Sequence, residues 1–582
     1  MDLDEDTEKI IKITSLKNAV EYNGKSRVDP VIAKIVAYKP ELRGNLKNLI
    51  PKIAGIVQEI NGLSLADQKT LLDRMEPIGR ESQRRNKQTK TSQAHLPPLA
   101  FAEMGKVVTR FPPEPNGYPH IGHAKAAIID EEYARMYDGK LILRFDDTNP
   151  LNEKLEYYEA IKDGLEWLGI KPDVVKNSSD DIQLLHEYGK KLVLSNMAYV
   201  CVCNQTTIHD LREKGVTCEC RKKNLDITLD RLKKIFDGSF RQNDAIIRFK
   251  GNMSDQNTAM RDPTLFRIID ADHPKLGNKI RVWPTYDFAV PIEDSLDGVT
   301  HALRTKEYEL RNALYFAILD AFGLRKPFML EFSRLEFKGL PVSKRKIKPL
   351  LEKGIIKSWS DPRLPTLVAM KRRGFVHEAI KKFVLSLGLT LAETKPPIEA
   401  LEAFNRKIID PACMRLSFVR DPVELHIQNP SLEEAVIKNH PNANLGIRKV
   451  SVSDSFYITR EDAAKLNTGD EIRLMDLYNI QITKIITSEN HKQILIAHST
   501  GEDIKQNMPK IHWVAKNDAI PYKVIMAREL YIGEQYNANS LEIIEGFAES
   551  FVSTLKPDTR IQFVRFGFCR LDDSSTAIFT HR

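Results

Sequence analysis

The run Lys106-Val-Val-Thr-Arg-Phe111, followed by Pro112-Pro-Glu-Pro-Asn-Gly-Tyr-Pro-His120-Ile-Gly-His123-Ala-Lys-Ala-Ala127, decides how this chain is read. β-Branched residues at 107–109 predict a strand, and the Pro/Gly-rich stretch cannot continue it. Residues 121–137 then form a helix that stops at the turn Asp138-Gly139, and Leu141-Ile-Leu-Arg-Phe145 supplies a second strand. Strand, helix and strand in this order make a βαβ unit with parallel strands. The next helix carries Leu155, Tyr158, Ile161, Leu165 and Leu168 on one face and ends at Gly169, with Pro172 beyond. Such alternation predicts an α/β, doubly wound parallel sheet.

In a sheet of this kind the loop after the first strand lies at the carboxyl end. There a helix N-terminus offers unpaired N–H groups and the positive end of its dipole to phosphate. Gly122 lets a nucleotide come close, and His120 and His123, one turn apart, can hydrogen-bond phosphate oxygens as charge develops during attack on an α-phosphate. An isolated His-x-x-His pair is more often two surface or core histidines; the surrounding residues distinguish this one.

Outward from this unit the chain changes character several times, as its 582 residues require, since that length exceeds one core. Residues 1–80 read as a helical N-terminal domain, with Leu46, Leu49, Ile53, Ile56, Val57 and Ile60 at helical spacing. Residues 81–99, rich in Ser, Gln, Lys and Arg and closed by Pro97-Pro98, read as a linker. Residues 351–408 are helical, and from 409 to 582 short β-rich segments dominate, at 471–474, 480–487, 493–497, 510–514, 524–528 and 560–571. Strands at this spacing predict barrels.

The net charge of +8, from 87 basic against 79 acidic residues, is also what a mixed solvated surface carries, so nucleic-acid binding has to rest on motifs. The acidic start Met1-Asp-Leu-Asp-Glu-Asp6 is unlike a secretory signal or a transit peptide, and the longest apolar run, 313–324, is too short for a membrane span. A cytoplasmic protein without membrane contact is expected, and a monomer, because no heptad seam stands out. In that compartment the six cysteines are not expected to form structural disulfides.

The loop Pro112-Pro-Glu-Pro-Asn-Gly117 with His120-Ile-Gly-His123 resembles the signature of class I aminoacyl-tRNA synthetases, in their glutamyl/glutaminyl subgroup. Pro341-Val-Ser-Lys-Arg-Lys346 stands where that family keeps a mobile lysine loop. Arg144-Phe-Asp-Asp-Thr-Asn-Pro150, Tyr286-Asp-Phe288, Thr300-His-Ala-Leu-Arg-Thr305 and Phe332-Ser-Arg-Leu335 follow in the family's order. The resemblance runs from Gly105 to the C-terminus. It implies a Rossmann-like catalytic domain in two halves, 100–200 and 276–350, an acceptor-stem-binding insertion at 201–275, and anticodon-binding β-barrels at 409–582 entered through Asn405-Arg-Lys-Ile-Ile-Asp-Pro411. Barrels in place of a helical anticodon domain point to the archaeal/eukaryotic branch.

The resemblance further implies that His120, His123 and Lys344 serve catalysis, and that Glu114, Asn116, Gly122, Thr305, Arg334, Leu335, Val342, Ser343 and Lys344 form the ATP site. A lysine on a closing loop supplies a point charge to the transferring phosphates and excludes water from the mixed anhydride. The implied reaction joins L-glutamate to tRNA through an adenylate, with magnesium on the phosphates and tRNA required for the first step. Two acceptors stand open: tRNA(Glu) alone, or also tRNA(Gln), which archaeal-type relatives charge with glutamate where a glutaminyl enzyme is absent.

Four positions bear on the amino acid. Asp146 can hold its ammonium, Arg110 can meet a carboxylate, and Tyr286 can donate a hydrogen bond. Arg304 discriminates, because in the family glutaminyl enzymes place a small neutral residue there and glutamyl enzymes an arginine. The competing reading of Arg304 is a surface ion pair with Glu307 or Glu309. A glutaminyl-tRNA synthetase is the first alternative, and a non-catalytic tRNA-binding scaffold the second, against which stand both histidines, Asp146 and Lys344.

Cys201-Val-Cys203 and Cys218-Glu-Cys220 place four of the six cysteines within twenty positions. Four thiolates can close a tetrahedral Zn²⁺ site of structural type, with buried thiols as the alternative. Cys413 and Cys569 have no partner pattern and are expected to be buried. Arg565, Phe566, Phe568 and Arg570 have the side chains that hold splayed anticodon bases, but aromatic residues alternating along a strand are more often core, so no anticodon contact is assigned.

Overall fold

Apolar residues at helical spacing gather the N-terminal unit, Met1–Gln93, around the helices Glu5–Glu21, Val28–Tyr38, Leu46–Asn61 and Leu65–Met75. Ile11, Leu16, Val31, Ile35, Ile53, Val57 and Leu72 form its interior. Buried Gln68 donates to the Gly24 and Ile60 carbonyls at 3.0 and 2.8 Å, so a polar residue in this core has partners. The computed structural model describes residues 5–22, 24–38, 46–75, 96–393, 395–487 and 493–582. Residues 81–95 of the expected linker lie outside the described residues.

The second unit, Ala94–Arg582, holds the doubly wound sheet. Strands β1 (Val108–Phe111), β2 (Lys140–Phe145) and β3 (Val174–Asn177) are parallel, with Val108 opposite Lys140 and Ile142 opposite Val174. The antiparallel strands β4 (Ala198–Cys201), β5 (Ile246–Phe249), β6 (Thr264–Ile268) and β7 (Val282–Pro284) form a separate four-stranded sheet in that order. Cys201 ends β4, the other three paired cysteines lie in the connection from β4 to β5, and the sheet interrupts the parallel fold from residue 198 to residue 284, a little beyond the expected insertion on both sides. The parallel sheet resumes with β8 (His301–Thr305) and β9 (Phe328–Phe332). β8 and β9 pair as a two-stranded piece, and Thr300, just before β8, donates its N–H to the Val108 carbonyl at 2.9 Å and accepts from Val108 N–H through Oγ1 at 2.8 Å, which sets β8 beside β1 in the spatial order 3-2-1-8-9.

Strand alternation sends side chains to both faces. Leu141, Leu143 and Phe145 pack with Ile128, Tyr133, Tyr158 and Ile161 of the helices Ile121–Met136 and Leu155–Trp167. Ile142 turns the other way, against Val299 and Ala302. Both helices were expected from sequence to within a residue or two. The turn between Ile121–Met136 and β2 depends on Gly139: a Cβ there would lie 2.1 Å from the Val107 carbonyl oxygen, a backbone atom that cannot swing aside. Gly139→Ala is therefore expected to destabilise this unit by about 1–3 kcal/mol, the range of core overpacking, read as a lowered thermal midpoint.

The helical stretch after the catalytic sheet breaks at Gly374, which has φ 104°, between Leu367–Arg373 and His377–Leu387. Two seven-stranded sheets follow, with cores around Leu416, Phe418, Val524 and Ile561 and around Val423, Phe456, Ile480 and Leu495. In the second, the consecutive short strands Lys510–Ile511 and Val514–Ala515 stand at opposite ends of the strand order, so residues 510–515 bridge its two edges; sequence had read them as one strand. Residues 560–571, likewise read as one strand, form the hairpin Arg560–Phe563 and Gly567–Leu571. Its turn holds Arg565 at φ 59°, and the Arg565 guanidinium is bound to Asp462 at 2.7 and 2.9 Å. Phe568 is core, as alternating aromatics suggested, and Cys413 and Cys569 are buried. No helix among the described residues is long and apolar enough to cross a membrane.

Candidate active site

β2 lies on one flank of β1 and β8 on the other, so the strand order reverses at β1. Open α/β sheets bind ligands in the crevice outside the strand ends at such a point. His120 caps the helix Ile121–Met136 there: its Nδ1 accepts from Gly122 N–H at 3.1 Å, and His123 Nδ1 accepts from His120 N–H at 3.2 Å. Both Nδ1 atoms are acceptors, so Nε2 carries the proton in each neutral ring. The ring centroids are 3.9 Å apart. Burial, then the charges of His123, Arg334 and Lys344, hold His120 well below the usual imidazole range; burial, Lys344 and Arg334 bring His123 down to about 4. Two neutral imidazole N–H donors at a helix N-terminus suit an anion.

Lys344 begins the helix Lys344–Glu352 after the cap residue Ser343, and its Nζ donates to the backbone and side-chain oxygens of Asn116. A Cβ on Gly117 would lie 2.5 Å from Lys344 Cε, so glycine leaves the room in which the lysine loop meets the first signature loop. Burial lowers Lys344 to about 8, opposed by Glu114, and burial raises Glu114. Across the crevice the Leu335 carbonyl lies 3.2 Å from where a Cβ on Gly122 would be. Arg334 pairs with Glu307 at 3.1 Å, Thr305 ends β8, and Val342 is buried beside the lysine loop. The nucleotide residues expected from sequence thus converge at the carboxyl ends of β1, β8 and β9.

The residues expected from sequence to meet the amino acid are Arg110, Asp146, Tyr286 and Arg304. Arg110 on β1 is fully buried; its Nε meets Asp294 at 3.1 Å, its Nη1 the Leu303 carbonyl at 2.8 Å, and its Nη2 has no partner. With Nε on Asp294 and Nη1 on the Leu303 carbonyl, only Nη2 is left for the carboxylate that sequence expected Arg110 to meet. Asp146 follows β2; its Oδ1 accepts from Arg144 Nε at 3.0 Å and its Oδ2 is buried without a partner. Tyr286 begins the helix Tyr286–Leu296, and burial raises its hydroxyl so that it stays a donor. Arg304 is 5 % exposed, lies 5.2 Å from the Tyr315 ring centre, and has Nε and Nη1 unpartnered. No carboxylate among the described residues forms an ion pair with it. Glu307, a partner weighed from sequence, pairs with Arg334 instead.

Family models for class I tRNA synthetases of the E and Q type match residues 106–411 as the catalytic domain and residues 413–500 and 510–572 as anticodon-binding domains. Among curated relatives, a "Glutamate--tRNA ligase" of Cenarchaeum symbiosum (strain A) is 48% identical over 568 residues, covering 97% of this chain and 98% of that protein. One of Nitrosopumilus maritimus (strain SCM1) is 46% identical over 580 residues and covers both chains completely, and one of Pyrococcus furiosus is 36% identical over 587 residues, 99% of this chain and 100% of that one. The chain belongs to the class I glutamyl/glutaminyl tRNA synthetases.

In this synthetase several buried charged residues escaped sequence reading. Arg144 meets Asp146, Asp294 and Asp297 at 3.0, 2.9 and 3.1 Å, which braces the carboxylate of Asp146. Burial pushes Glu293 up to about 8, whereas Arg110 and Arg144, working against burial, hold Asp294 below the usual carboxylate range. An acidic pair at the end of the apolar run Phe288-Ala-Val-Pro-Ile292 was the available signal, since carboxylates so placed need buried cations. Lys125 is another: it donates to the Ser333 carbonyl at 2.5 Å and ties the signature helix to the segment after β9.

The four sulfurs of Cys201, Cys203, Cys218 and Cys220 lie within 4.8 Å of one another, with Cys201–Cys218 and Cys203–Cys220 each at 3.8 Å. All are free thiols. Four sulfurs at about 2.3 Å from a tetrahedral zinc stand about 3.8 Å apart, so the spacing fits that ion and is far too long for disulfides. Arg248 Nη1 lies 4.0 Å from the Cys201 sulfur and 3.8 Å from that of Cys218. A buried cation beside two of the sulfurs favours thiolate, the ligand form.

Proposed function

We propose that this synthetase attaches L-glutamate to tRNA at the expense of ATP. The observation that carries the choice of amino acid is Arg304, a buried guanidinium with two free nitrogens and no carboxylate partner. A site with an uncompensated cation gains a charge-assisted pair from a γ-carboxylate and loses its partner against a γ-amide. Asp146 Oδ2 takes the ammonium, Arg110 Nη2 the α-carboxylate, and Tyr286 donates to the substrate.

The glutamate α-carboxylate oxygen attacks the ATP α-phosphorus in line; the P–O bond to the β-phosphate bridge breaks and pyrophosphate leaves with its electrons. The terminal ribose hydroxyl of tRNA then attacks the adenylate carbonyl and expels AMP. His120 and His123 donate through Nε2 to the phosphoryl oxygens, and Lys344 neutralises charge on the leaving side. Magnesium, arriving with ATP, adds counter-charge to the phosphates. Aminoacylation of archaeal-type tRNA with labelled glutamate and glutamine in parallel tests the reading: glutamate alone is expected to be transferred, and transfer of glutamine alone would make this a glutaminyl enzyme.

The cysteine cluster is proposed to hold one zinc. Four protein ligands leave no open position, so the ion would stiffen the acceptor-stem insertion rather than take part in catalysis. The purified protein is expected to carry about one zinc per chain, and Cys218→Ser to lower that severalfold and expose residues 201–262 to limited proteolysis. Metal-free wild type with an unchanged thermal midpoint would sink the assignment.

A further inference from the structure

Asn312 opens the helix Asn312–Phe322, and Glu331 stands on β9 directly opposite Arg304 on β8. Arg304 Nη2 donates to the Tyr308 carbonyl at 3.2 Å and to Asn312 Oδ1, and Asn312 Nδ2 donates to Glu331 Oε1 at 2.6 Å. A carboxylate can only accept, so the amide nitrogen must face Glu331 and the amide oxygen must face the guanidinium. The counter-charge of Glu331 is thereby held one neutral amide away from Arg304. This separation eases burial of the cation without occupying it.

We propose that Asn312 is a positioning residue that sets the preference for glutamate: oriented by Glu331, it aims Arg304 through a neutral acceptor and leaves the substrate γ-carboxylate as the anion that completes the guanidinium. The inference rests on the assignment of Arg304 to the γ-carboxylate. Its physical content is the placement of one negative charge. An aspartate at 312 would give Arg304 an internal partner, and the substrate would then have to compete with it.

The test is aminoacylation kinetics with glutamate and glutamine for wild type, Arg304→Ala, Asn312→Ala and the double substitution Asn312→Asp with Glu331→Gln. The double substitution keeps the net charge and can keep every hydrogen bond of the chain, but it moves the negative charge from 331 to 312. It is expected to raise the KM for glutamate about 10–100-fold and to erode discrimination against glutamine, with the KM for ATP within about twofold of wild type. Asn312→Ala, which removes the aim but adds no rival anion, is expected to raise the glutamate KM about tenfold and keep the preference for glutamate. A glutamate KM within about twofold of wild type in the double variant, alongside a large increase in Arg304→Ala, overturns the role of Asn312 and leaves that of Arg304 standing. An unchanged KM in Arg304→Ala overturns the assignment of Arg304 itself. Should the double variant fail to fold by thermal melting, Asn312→Ala decides, and an unchanged glutamate KM there overturns the proposal.

Discussion

Arg304→Ala is expected to raise the KM for glutamate by about 30-fold or more, because removing one member of a buried, hydrogen-bonded charge pair costs about 2–5 kcal/mol. The side chain offers Nε and Nη1 to nothing within the described protein, so the stabilisation it provides is realised when an anion arrives. The same fact separates binding from folding. The free enzyme loses packing against Tyr308 and Tyr315 and the Nη2 hydrogen bonds to the Tyr308 carbonyl and Asn312 Oδ1, but is relieved of two unpartnered buried donors; the two effects oppose each other, so its thermal midpoint is expected to stay close to wild type. A substitution that halves affinity while collapsing the fold would show instead that Arg304 is a structural cation. An unchanged KM with an unchanged fold would remove it from the amino-acid pocket.

The second large effect belongs to Lys344, and here the loss is expected in turnover. Lys344→Ala should lower kcat for adenylate formation by about 100–1000-fold, the range found when a donor to developing charge is removed, with little change in the KM for glutamate. The pH dependence carries its own sign. Burial brings the free-enzyme ammonium down to about 8, so kcat/KM for ATP is expected to fall as pH rises through that value and the charge is lost. Bound phosphates favour the charged form, and kcat should therefore keep its plateau to higher pH than kcat/KM. Lys344→Arg, which stays charged, should abolish the alkaline limb while lowering the rate, since a planar fork cannot replace a point charge packed against Gly117. A kcat/KM profile flat from pH 7 to about 10 would remove Lys344 from the reaction.

The histidines behave differently. Both are held neutral, and their Nδ1 atoms are committed to backbone amides, so the imidazoles act as oriented donors at neutral pH. This could be anticipated in outline from His120-Ile-Gly-His123 at a strand-to-helix loop. The tautomer could not, because it depends on which ring nitrogen meets the first turn of the helix.

The residues 106–169 were legible almost to the residue because a strand, a helix and a turn each announce themselves within a few neighbours: β-branched runs, helical spacing, Asp138-Gly139 and Gly169. The hairpin at 560–571 was not, because Arg565 takes a left-handed turn that its residue type does not advertise, held by a guanidinium–carboxylate pair with Asp462. Sequence left Arg304 between a surface ion pair with Glu307 or Glu309 and a group of the amino-acid site; folding buries it, sets Glu307 on Arg334, and gives it no carboxylate ion pair among the described residues. By itself, then, the sequence determined the doubly wound sheet, the strand-to-helix loop with its two histidines, the paired cysteines and, through a series of short motifs, the family, each of which rests on residues close together along the chain. Only the tertiary structure decided which charges are already answered. Arg110 and Asp294 are 184 positions apart, and Asn312 meets Glu331 across two different elements. Whether a buried charge is free for a substrate depends on every group that folding brings around it, and that neighbourhood is not written in local sequence.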